Sequence, residues 1–258
     1  MAPRGARVPS QQPAYVLHQY DWSETSLVLE LFTREQGRIA VVAKGAKRPY
    51  SQLRAVLLPF LRLQVGLSKP TKLNEEGVAE IQNLRGAEWM GGATLPSGAA
   101  LFSGYYLNEL LLKFLPRQDP HPELFDAYAL ALPQLQAPDE AQHALRAFEL
   151  RLLADCGLLP DLSLLSATQQ PLDGERDYQL LPEAGVAPAV AGAPLLGGGA
   201  LIQLQAALLH GSVAALQQAC ERAGPVLKPV LRGLLHYHLG HRPLRTRQVL
   251  LDVQKLLA

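Results

Sequence analysis

The sequence predicts an α+β protein, in which a small five-stranded barrel is followed by a mostly α-helical domain. The first observation behind this prediction is a series of five short apolar runs before about residue 90, some of which alternate between apolar and polar residues. The second is a change, after residue 96, to apolar residues at helical spacing. With 258 residues, 48% of them hydrophobic, the chain is long enough for one large or two modest domains with buried cores.

The five runs that predict strands are short, apolar and bounded by turn residues. They are residues 15–20, 26–33, 38–44, 59–65 and 78–84. The connector Arg34–Gly37 places glycine where a hairpin often needs a positive φ. A short helix or loop over residues 50–57 separates the third strand from the fourth. This order of elements is typical of an OB-fold, although the periodicity alone is equally compatible with another small barrel.

Helices are predicted where apolar residues recur every three or four positions between capping and breaking residues. They cover residues 96–115, 123–132, 139–156, 200–209, 213–223, 226–239 and 245–257. The prediction therefore has a flexible leader, an OB-fold domain and a helical domain, at residues 1–14, 15–90 and 91–258. An irregular excursion rich in Pro and Gly is expected near residues 157–200.

The net charge of +1 hides a strong segregation of charge along the chain. Residues 1–85 carry 12 Lys and Arg against 7 Asp and Glu, and residues 222–258 carry 7 against 1. The intervening residues 86–221 carry 5 against 15. Two basic blocks thus flank an acidic middle, and a basic block in a small β-domain favours a polyanionic partner.

The basic block of the barrel is the main candidate for nucleic-acid contact, because residues 38–72 contain eight cations and no acidic residue. A charged barrel face often serves only to keep a protein soluble. Eight cations without an acidic residue are more than solubility requires, so nucleic-acid contact is favoured. Together with three arginines near the end of the chain, the predicted DNA-binding residues are Arg38, Lys44, Lys47, Arg48, Arg54, Arg62, Lys69, Lys72, Arg242, Arg245 and Arg247. Aromatic residues for base stacking are sparse, and Tyr50 and Phe60 are the candidates, with a place in the core as the alternative for Phe60. Phosphate contacts are therefore expected to dominate.

The two cysteines, Cys156 and Cys220, are too few and too distant for a disulfide framework, which favours a reducing cytoplasm. The polar, Pro-rich residues 1–14 lack the apolar core of a signal peptide. No apolar run approaches the length that spans a membrane. A cytoplasmic, nucleoid-associated protein is therefore expected.

Several motifs, spread in order over nearly the whole chain, resemble RecO, the bacterial family of recombination mediators. They are Tyr15–Leu17, Trp22–Ser26, Leu31–Thr33, Gly37–Arg38, Val42–Ala46, Leu101–Leu110, Arg146–Leu150 and Pro243–Arg247. The resemblance implies an OB-fold followed by a helical domain. It also implies binding to single- and double-stranded DNA, annealing of complementary strands, and work with RecR. The family further contacts the acidic tail of single-stranded-DNA-binding protein and helps load the recombinase RecA, with no ATPase or nuclease of its own.

The acidic tail of the single-strand-binding protein needs a cation beside an apolar groove. Arg146 and Arg151 lie on the predicted helix 139–156 and are the predicted tail-binding residues. Five positions apart, they point about 140° from each other, so both need not serve one site. Arg146 is the first choice, and the alternative for it is a local ion pair with Glu149 or a contact with Gln142.

No cofactor or metal is expected. Many members of the resembled family carry a four-cysteine zinc site in the excursion, but this chain has no cysteine between residues 157 and 219. His236, His238 and His241 form a second candidate cluster. On a helix, positions two apart point roughly 200° from each other, so a solvated helix end near DNA is favoured over a metal site.

No catalytic constellation stands out. Gly197–Gly199 lacks the following Lys-Ser or Lys-Thr of a phosphate-binding loop, and no Ser/His/Asp set has motif context. The favoured function is thus a non-enzymatic DNA-binding and annealing mediator. The alternative is a helical interaction scaffold whose barrel docks a partner protein, and salt-sensitive binding to single-stranded DNA distinguishes the two.

Overall fold

The structure, a computed structural model, describes residues 10–68, 81–92, 95–240 and 243–257. These residues form two compact units. The first comprises residues up to Leu95 together with Leu115–Phe125, and the second comprises Pro96–Phe114 and the residues from Asp126 onward. Within the described ranges, no helix is long and apolar enough to cross a membrane.

The first unit is a closed barrel of five strands, in the order β1-β2-β3-β5-β4. Their bounds are β1 Ser10–Asp21, β2 Leu27–Thr33, β3 Gly37–Ala43, β4 Leu63–Leu67 and β5 Gln82–Trp89, with helix α1, Gln52–Val56, between β3 and β4. The barrel closes because β1 pairs with β4 and because β3 and β5 run parallel. This order and the helix after the third strand are those of an OB-fold, so the predicted fold class is confirmed.

Three strand boundaries differ from the prediction. β1 begins at Ser10, so residues 10–14 pair with β4 instead of forming a leader. β4 begins only at Leu63, because Pro59 makes an isolated bridge and Phe60 has a φ of 70° that interrupts the extended chain. β5 begins at Gln82, and residues 78–80 of the predicted strand are outside the described residues. The residues that the structure does not describe are 1–9, 69–80, 93–94, 241–242 and 258.

The barrel core follows the strand alternation seen in the sequence. Leu29 and Leu31 of β2 and Ile39 and Val41 of β3 are buried inside it, and Leu53 of α1 packs against it. The Arg34–Gly37 hairpin is confirmed, with a φ of 66° at Gly37. Because side chains alternate along a strand, the residues between these four core positions, such as Glu30 and Ala40, face outward.

The outer face of β2 and β3 is covered by residues 115–125 of the same unit. Phe125 contacts Phe32, with 5.4 Å between ring centroids. The Gln118 backbone N–H donates to the Arg38 carbonyl oxygen at 2.8 Å. Arg117 forms an ion pair with the buried Glu30. As a result, Glu30 and Phe32 are buried although they point away from the barrel interior.

The second unit is mostly helical. Six of the seven long helices that the structure describes lie in it, and the boundary between the two units falls inside the seventh, α3. These helices are α2 Gly98–Phe114, α3 Pro122–Gln134, α4 Pro138–Asp155, α5 Gly198–His210, α6 Val213–Ala223, α7 Leu227–His238 and α8 Arg245–Leu257. All seven predicted helices are present, with ends within about two residues of the prediction.

The excursion near residues 157–200 is more regular than the sequence predicted. It contains a three-stranded sheet of β6 Asp177–Leu181, β7 Gly185–Pro188 and β8 Leu196–Gly197, in the order β7-β6-β8. Ser166 anchors the chain to this sheet, because the Val186 N–H donates to Ser166 Oγ at 2.9 Å. Strands of two to five residues among Pro and Gly carry too little periodicity to be predicted.

Candidate nucleic-acid interface and helical groove

One end of the barrel gathers two loops, because Asp21, Leu27 and Ala43 are register partners at the ends of their strands. The turn 22–26 joins β1 to β2, and the loop 44–51 leads from β3 to α1. We call these two segments, together with Tyr20 and Asp21 at the end of β1 and with α1, the rim. A cleft in the rim is lined by Gln19, Tyr20, Asp21, Leu27, Ala46, Lys47, Arg54, Leu57 and Leu58.

Lys47 ties the two loops of the rim together. Its backbone N–H donates to the Thr25 carbonyl oxygen at 3.0 Å, and its Nζ donates to the Ser23 carbonyl oxygen at 3.1 Å. Nζ also lies 3.1 Å from an Asp21 carboxylate oxygen. The charge of this predicted DNA-binding residue is thus engaged within the barrel.

Arg38 is also engaged internally. Its guanidinium lies 3.7 Å from Glu30, and its side chain is only 17% exposed. Burial lowers the pKa of Arg38, and the nearby Arg117 adds to that effect, whereas Glu30 opposes it. This arginine helps to neutralise a buried carboxylate of the barrel.

The other predicted cations of the described barrel are exposed. Lys44, Arg48 and Arg54 lie in the rim, and Arg62 immediately precedes β4. Lys69 and Lys72 fall outside the described residues. The structure thus brings three exposed predicted cations together with Lys47 in the rim, whereas Arg38 lies at the opposite end of β3.

The aromatic side chains of the rim differ from those singled out in the sequence. Phe60 is buried, whereas Tyr50 is almost fully exposed. Trp22 and Tyr20, which are 66% and 49% exposed, were not predicted as stacking residues from the sequence. A tryptophan inside the polar turn Trp22–Ser26 was the signal that could have identified them.

Two arginines of the second basic block lie in the first turn of helix α8 in the helical unit. Arg245 and Arg247 are exposed, whereas Arg242 and His241 fall outside the described residues. Glu109 of α2 caps this helix by accepting from the N–H groups of Arg245 and Thr246 at 2.8 and 2.9 Å. Burial tends to raise the pKa of Glu109, but these hydrogen bonds and the charge of Lys113 outweigh it and lower that pKa.

A groove of about 600 Å³ lies within the helical unit, among helices α2, α4, α7 and α8. Its lining combines apolar residues with cations. The apolar residues are Phe102, Leu145, Leu235, Leu239, Pro243, Leu244 and Leu250, and the cations are Arg146, Lys228, Arg232 and Arg247. Arg232 and Lys228 are exposed. Neither was predicted to bind the tail, because both tail-binding candidates were taken from the predicted helix 139–156.

Arg146 lines this groove, and it also makes the local ion pair that was its alternative role. Its Nη2 lies 2.6 Å from Oε1 of the fully buried Glu149. The same oxygen accepts from the Tyr106 hydroxyl at 2.6 Å. Burial raises the pKa of Glu149, while Arg146 and Tyr106 oppose that shift. Arg151 pairs with Asp155 at 2.8 Å and is not among the groove residues.

The described residues contain no group of three or more His, Cys, Asp or Glu that could hold a metal ion. His238 packs edge-on against Tyr237, with 5.3 Å between ring centroids. Neither cysteine forms a disulfide, and burial raises the pKa of the Cys220 thiol to about 12. That the whole chain binds no metal stays a prediction.

Comparisons with known proteins agree with the resemblance found in the sequence. Residues 8–85 match the family model described as Recombination protein O N terminal, and residues 96–248 match Recombination protein O C terminal. The chain belongs to the RecO family. A DNA repair protein RecO from Polaromonas naphthalenivorans is 52% identical over 251 residues, which cover 96% of this chain and 98% of the relative. One from Variovorax paradoxus is 50% identical over 259 residues, covering 96% and 97%. The RecO family is one of DNA repair and recombination proteins.

Proposed function

We propose that this chain is a non-enzymatic recombination mediator in DNA repair, which binds single- and double-stranded DNA and anneals complementary strands. In this proposal it works with RecR and helps load RecA on DNA coated with single-strand-binding protein. The observation that supports DNA binding best is the placement of Lys44, Arg48 and Arg54 in one exposed rim. Exposed cations with no acidic residue between positions 38 and 72 favour phosphate contact.

Annealing follows from charge neutralisation. Two DNA strands repel each other through their phosphates until cations screen that charge. The rim supplies one set of cations, and Arg245 and Arg247 at the start of α8 supply another. Holding two strands at reduced repulsion allows the first base pairs to form without a chemical step.

The test of DNA binding replaces Lys44, Arg48 and Arg54 together with Ala. Lys47 is left unchanged because it holds the rim together. Affinity for any DNA sequence should fall to a similar extent. The slope of log affinity against log salt should flatten by roughly 0.7 for each phosphate of a single strand that the variant no longer neutralises.

A charge-matched control replaces the exposed cations Arg176, Arg222 and Lys255 of the helical unit with Ala. A folded rim variant with an unchanged salt slope would place the DNA site elsewhere. Equal effects of the two triple variants would mean that net charge, and not the rim, governs binding. Failure of the folded wild-type chain to bind DNA would favour the interaction-scaffold alternative.

The groove of the helical unit supports the proposed contact with the tail of single-strand-binding protein. An acidic tail that ends in an apolar residue needs cations beside an apolar surface, and the groove combines both. Arg146 is held by Glu149, so the exposed cations Lys228 and Arg232 are better placed to meet a carboxylate.

This contact is tested by replacing Lys228 and Arg232 with Glu. Replacing Arg146 with Glu is a poor test, because it would leave two acidic groups in a buried position beside Glu149. Binding of a labelled tail peptide should be abolished while binding to bare DNA is retained. The control is Arg176→Glu, an exposed cation outside the groove. Unchanged peptide binding would mean that the tail docks elsewhere.

A further inference from the structure

Besides Tyr50 on the loop 44–51, the rim exposes two large aromatic side chains where β1 leads into the turn 22–26. Trp22 is 66% exposed and Tyr20 is 49% exposed. Rings of this size usually bury most of their surface, so two exposed rings close together in the sequence indicate a binding surface. Within the turn, the Trp22 N–H donates to the Ser26 carbonyl oxygen at 3.2 Å, and the Ser26 N–H donates to Ser23 Oγ at 3.2 Å.

The surroundings hold the turn and the Tyr20 ring in place. Lys47 bonds the turn to the following loop through Thr25 and Ser23. The Tyr20 ring meets the His18 ring edge-on, with 4.4 Å between centroids and 78° between planes. A ring on such a backbone loses little conformational entropy when a ligand packs against it.

The strand face of the surface that OB-folds commonly use for ligands is occupied here, whereas the loop between β1 and β2 is exposed. That surface is the face of the second and third strands together with the adjacent loops. In this barrel, Glu30, Phe32 and Ala40 on that face are 4%, 0% and 4% exposed, and Phe125 and Arg117 of the same unit contact the first two. The rim, with its rings and cations, is exposed and stays open to a ligand.

We infer that Trp22 and Tyr20 stack on unpaired bases, and that the rim accordingly prefers single-stranded to double-stranded nucleic acid. This inference rests on the proposed DNA binding and names its substrate class. Cations that touch phosphates do not select unpaired bases, since both forms present a phosphate backbone. An aromatic ring distinguishes them, because the faces of bases are free in a single strand and hidden inside a duplex.

Cations lie beside the rings, as a bound strand requires. Arg54 lines the same cleft as Tyr20, and Lys44 and Arg48 are exposed on the neighbouring loop. Asp21 in the cleft is neutralised by Lys47. An apolar protein segment would also cover exposed rings, but it would not make use of the surrounding positive charge.

The two tryptophans of the chain allow a direct test with an internal control. Trp89→Phe leaves Trp22 as the only tryptophan, and Trp22→Phe leaves Trp89, which is 54% exposed at the end of β5. Each variant is titrated with an oligothymidine strand and with a duplex of equal length. Binding is followed independently by the anisotropy of labelled DNA, and folding by thermal unfolding.

The oligothymidine strand should quench the emission of Trp22 strongly, the duplex should quench it weakly, and Trp89 should respond little to either. Trp22→Ala should lower single-strand affinity roughly 10-fold, with less than a twofold change for duplex, whereas Trp22→Phe should retain most of the affinity.

Some results would overturn the inference while leaving the proposed function intact. These are DNA binding with unchanged Trp22 emission, and an equal loss of single-strand and duplex affinity in a folded Trp22→Ala variant. Quenching by single-strand-binding protein but not by DNA would assign the rim to a protein partner and overturn the inference as well. Absence of any DNA binding by the wild-type chain would overturn the proposed function, and this inference with it.

Discussion

Glu30 of β2 and Arg117 of the segment before α3 form an ion pair that joins the barrel to the segment covering its outer face. The Glu30 side chain is 5% exposed and the Arg117 side chain 46%. Arg38 lies 3.7 Å from the other oxygen of Glu30, so two arginines share one buried carboxylate. The pair therefore fixes the position of residues 115–125 on the barrel.

Arg117→Ala should destabilise the barrel unit by about 1–3 kcal/mol, because it removes the closer of the two partners of a buried charge. Urea unfolding followed by Trp emission measures the loss. Adding Glu30→Gln to this variant should recover part of the stability, since no buried charge is then left. Arg85→Ala, an exposed change on β5, serves as the control and should cost less than about 0.5 kcal/mol. A loss no larger than that of the control would contradict the structural role of the pair.

Gly37→Ala should destabilise the barrel strongly. Gly37 has a φ of 66°, and a Cβ there would overlap the backbone carbonyl of Asp119, which cannot move as a side-chain end can. Gly91→Ala is the matched control, because Gly91 has a φ of 77° but an added Cβ would meet nothing within 4 Å. The control should cost only backbone strain, about 1–2 kcal/mol. Similar thermal unfolding of the two variants would mean that residues 115–125 do not press on the hairpin.

Glu109→Ala should destabilise the helical unit by about 1–2 kcal/mol at pH 7, and each kcal/mol should lower its melting temperature by about 2–4 °C. The folded-state pKa of Glu109 lies below the ordinary value of 4.5, so its contribution is fully present above that pH. It disappears as the pH falls through the folded-state pKa. The difference between wild type and variant should therefore shrink below about pH 4.5. Glu175→Ala, an exposed acidic control, should show no such trend.

Purified protein should contain no stoichiometric zinc. The only cysteines are Cys156 and Cys220, and residues 157–200 are held by the small sheet and by bonds such as that between Ser166 and Val186. Elemental analysis measures the zinc content, and a chelator should leave the melting temperature unchanged. About one zinc ion per chain would contradict this prediction and point to ligands beyond the described residues.

The barrel could be predicted because its signal is local. Leu29 and Leu31 alternate with outward residues over one short strand, and Ile39 and Val41 do so over the next. The helices are equally local, since each one shows its own spacing of apolar residues. The sheet near residue 180 escaped prediction because its strands are short and its register depends on residues such as Ser166, which lie outside it.

For the candidate site, the sequence predicted which residues are charged but not which partners they have in the fold. Composition showed that the barrel is basic, but not that Arg38 pairs with Glu30, which lies diagonally across the β2–β3 pair. It also did not show that Glu30 pairs with Arg117, which lies 87 positions after it. The groove could not be predicted either, because it joins residues of α2, α4, α7 and α8 that are distant in sequence. Such partnerships arise from tertiary packing, which no window of sequence contains.

The bonds that Lys47 makes to Thr25, Ser23 and Asp21 have a kinetic consequence. Because the turn and the loop are joined, neither has to order separately when a strand arrives, and association needs no slow rearrangement of the rim. The observed rate constant for strand binding should then rise linearly with DNA concentration without reaching a plateau. Salt should slow the reaction by weakening long-range attraction, so a strand would be captured on nearly every well-oriented encounter.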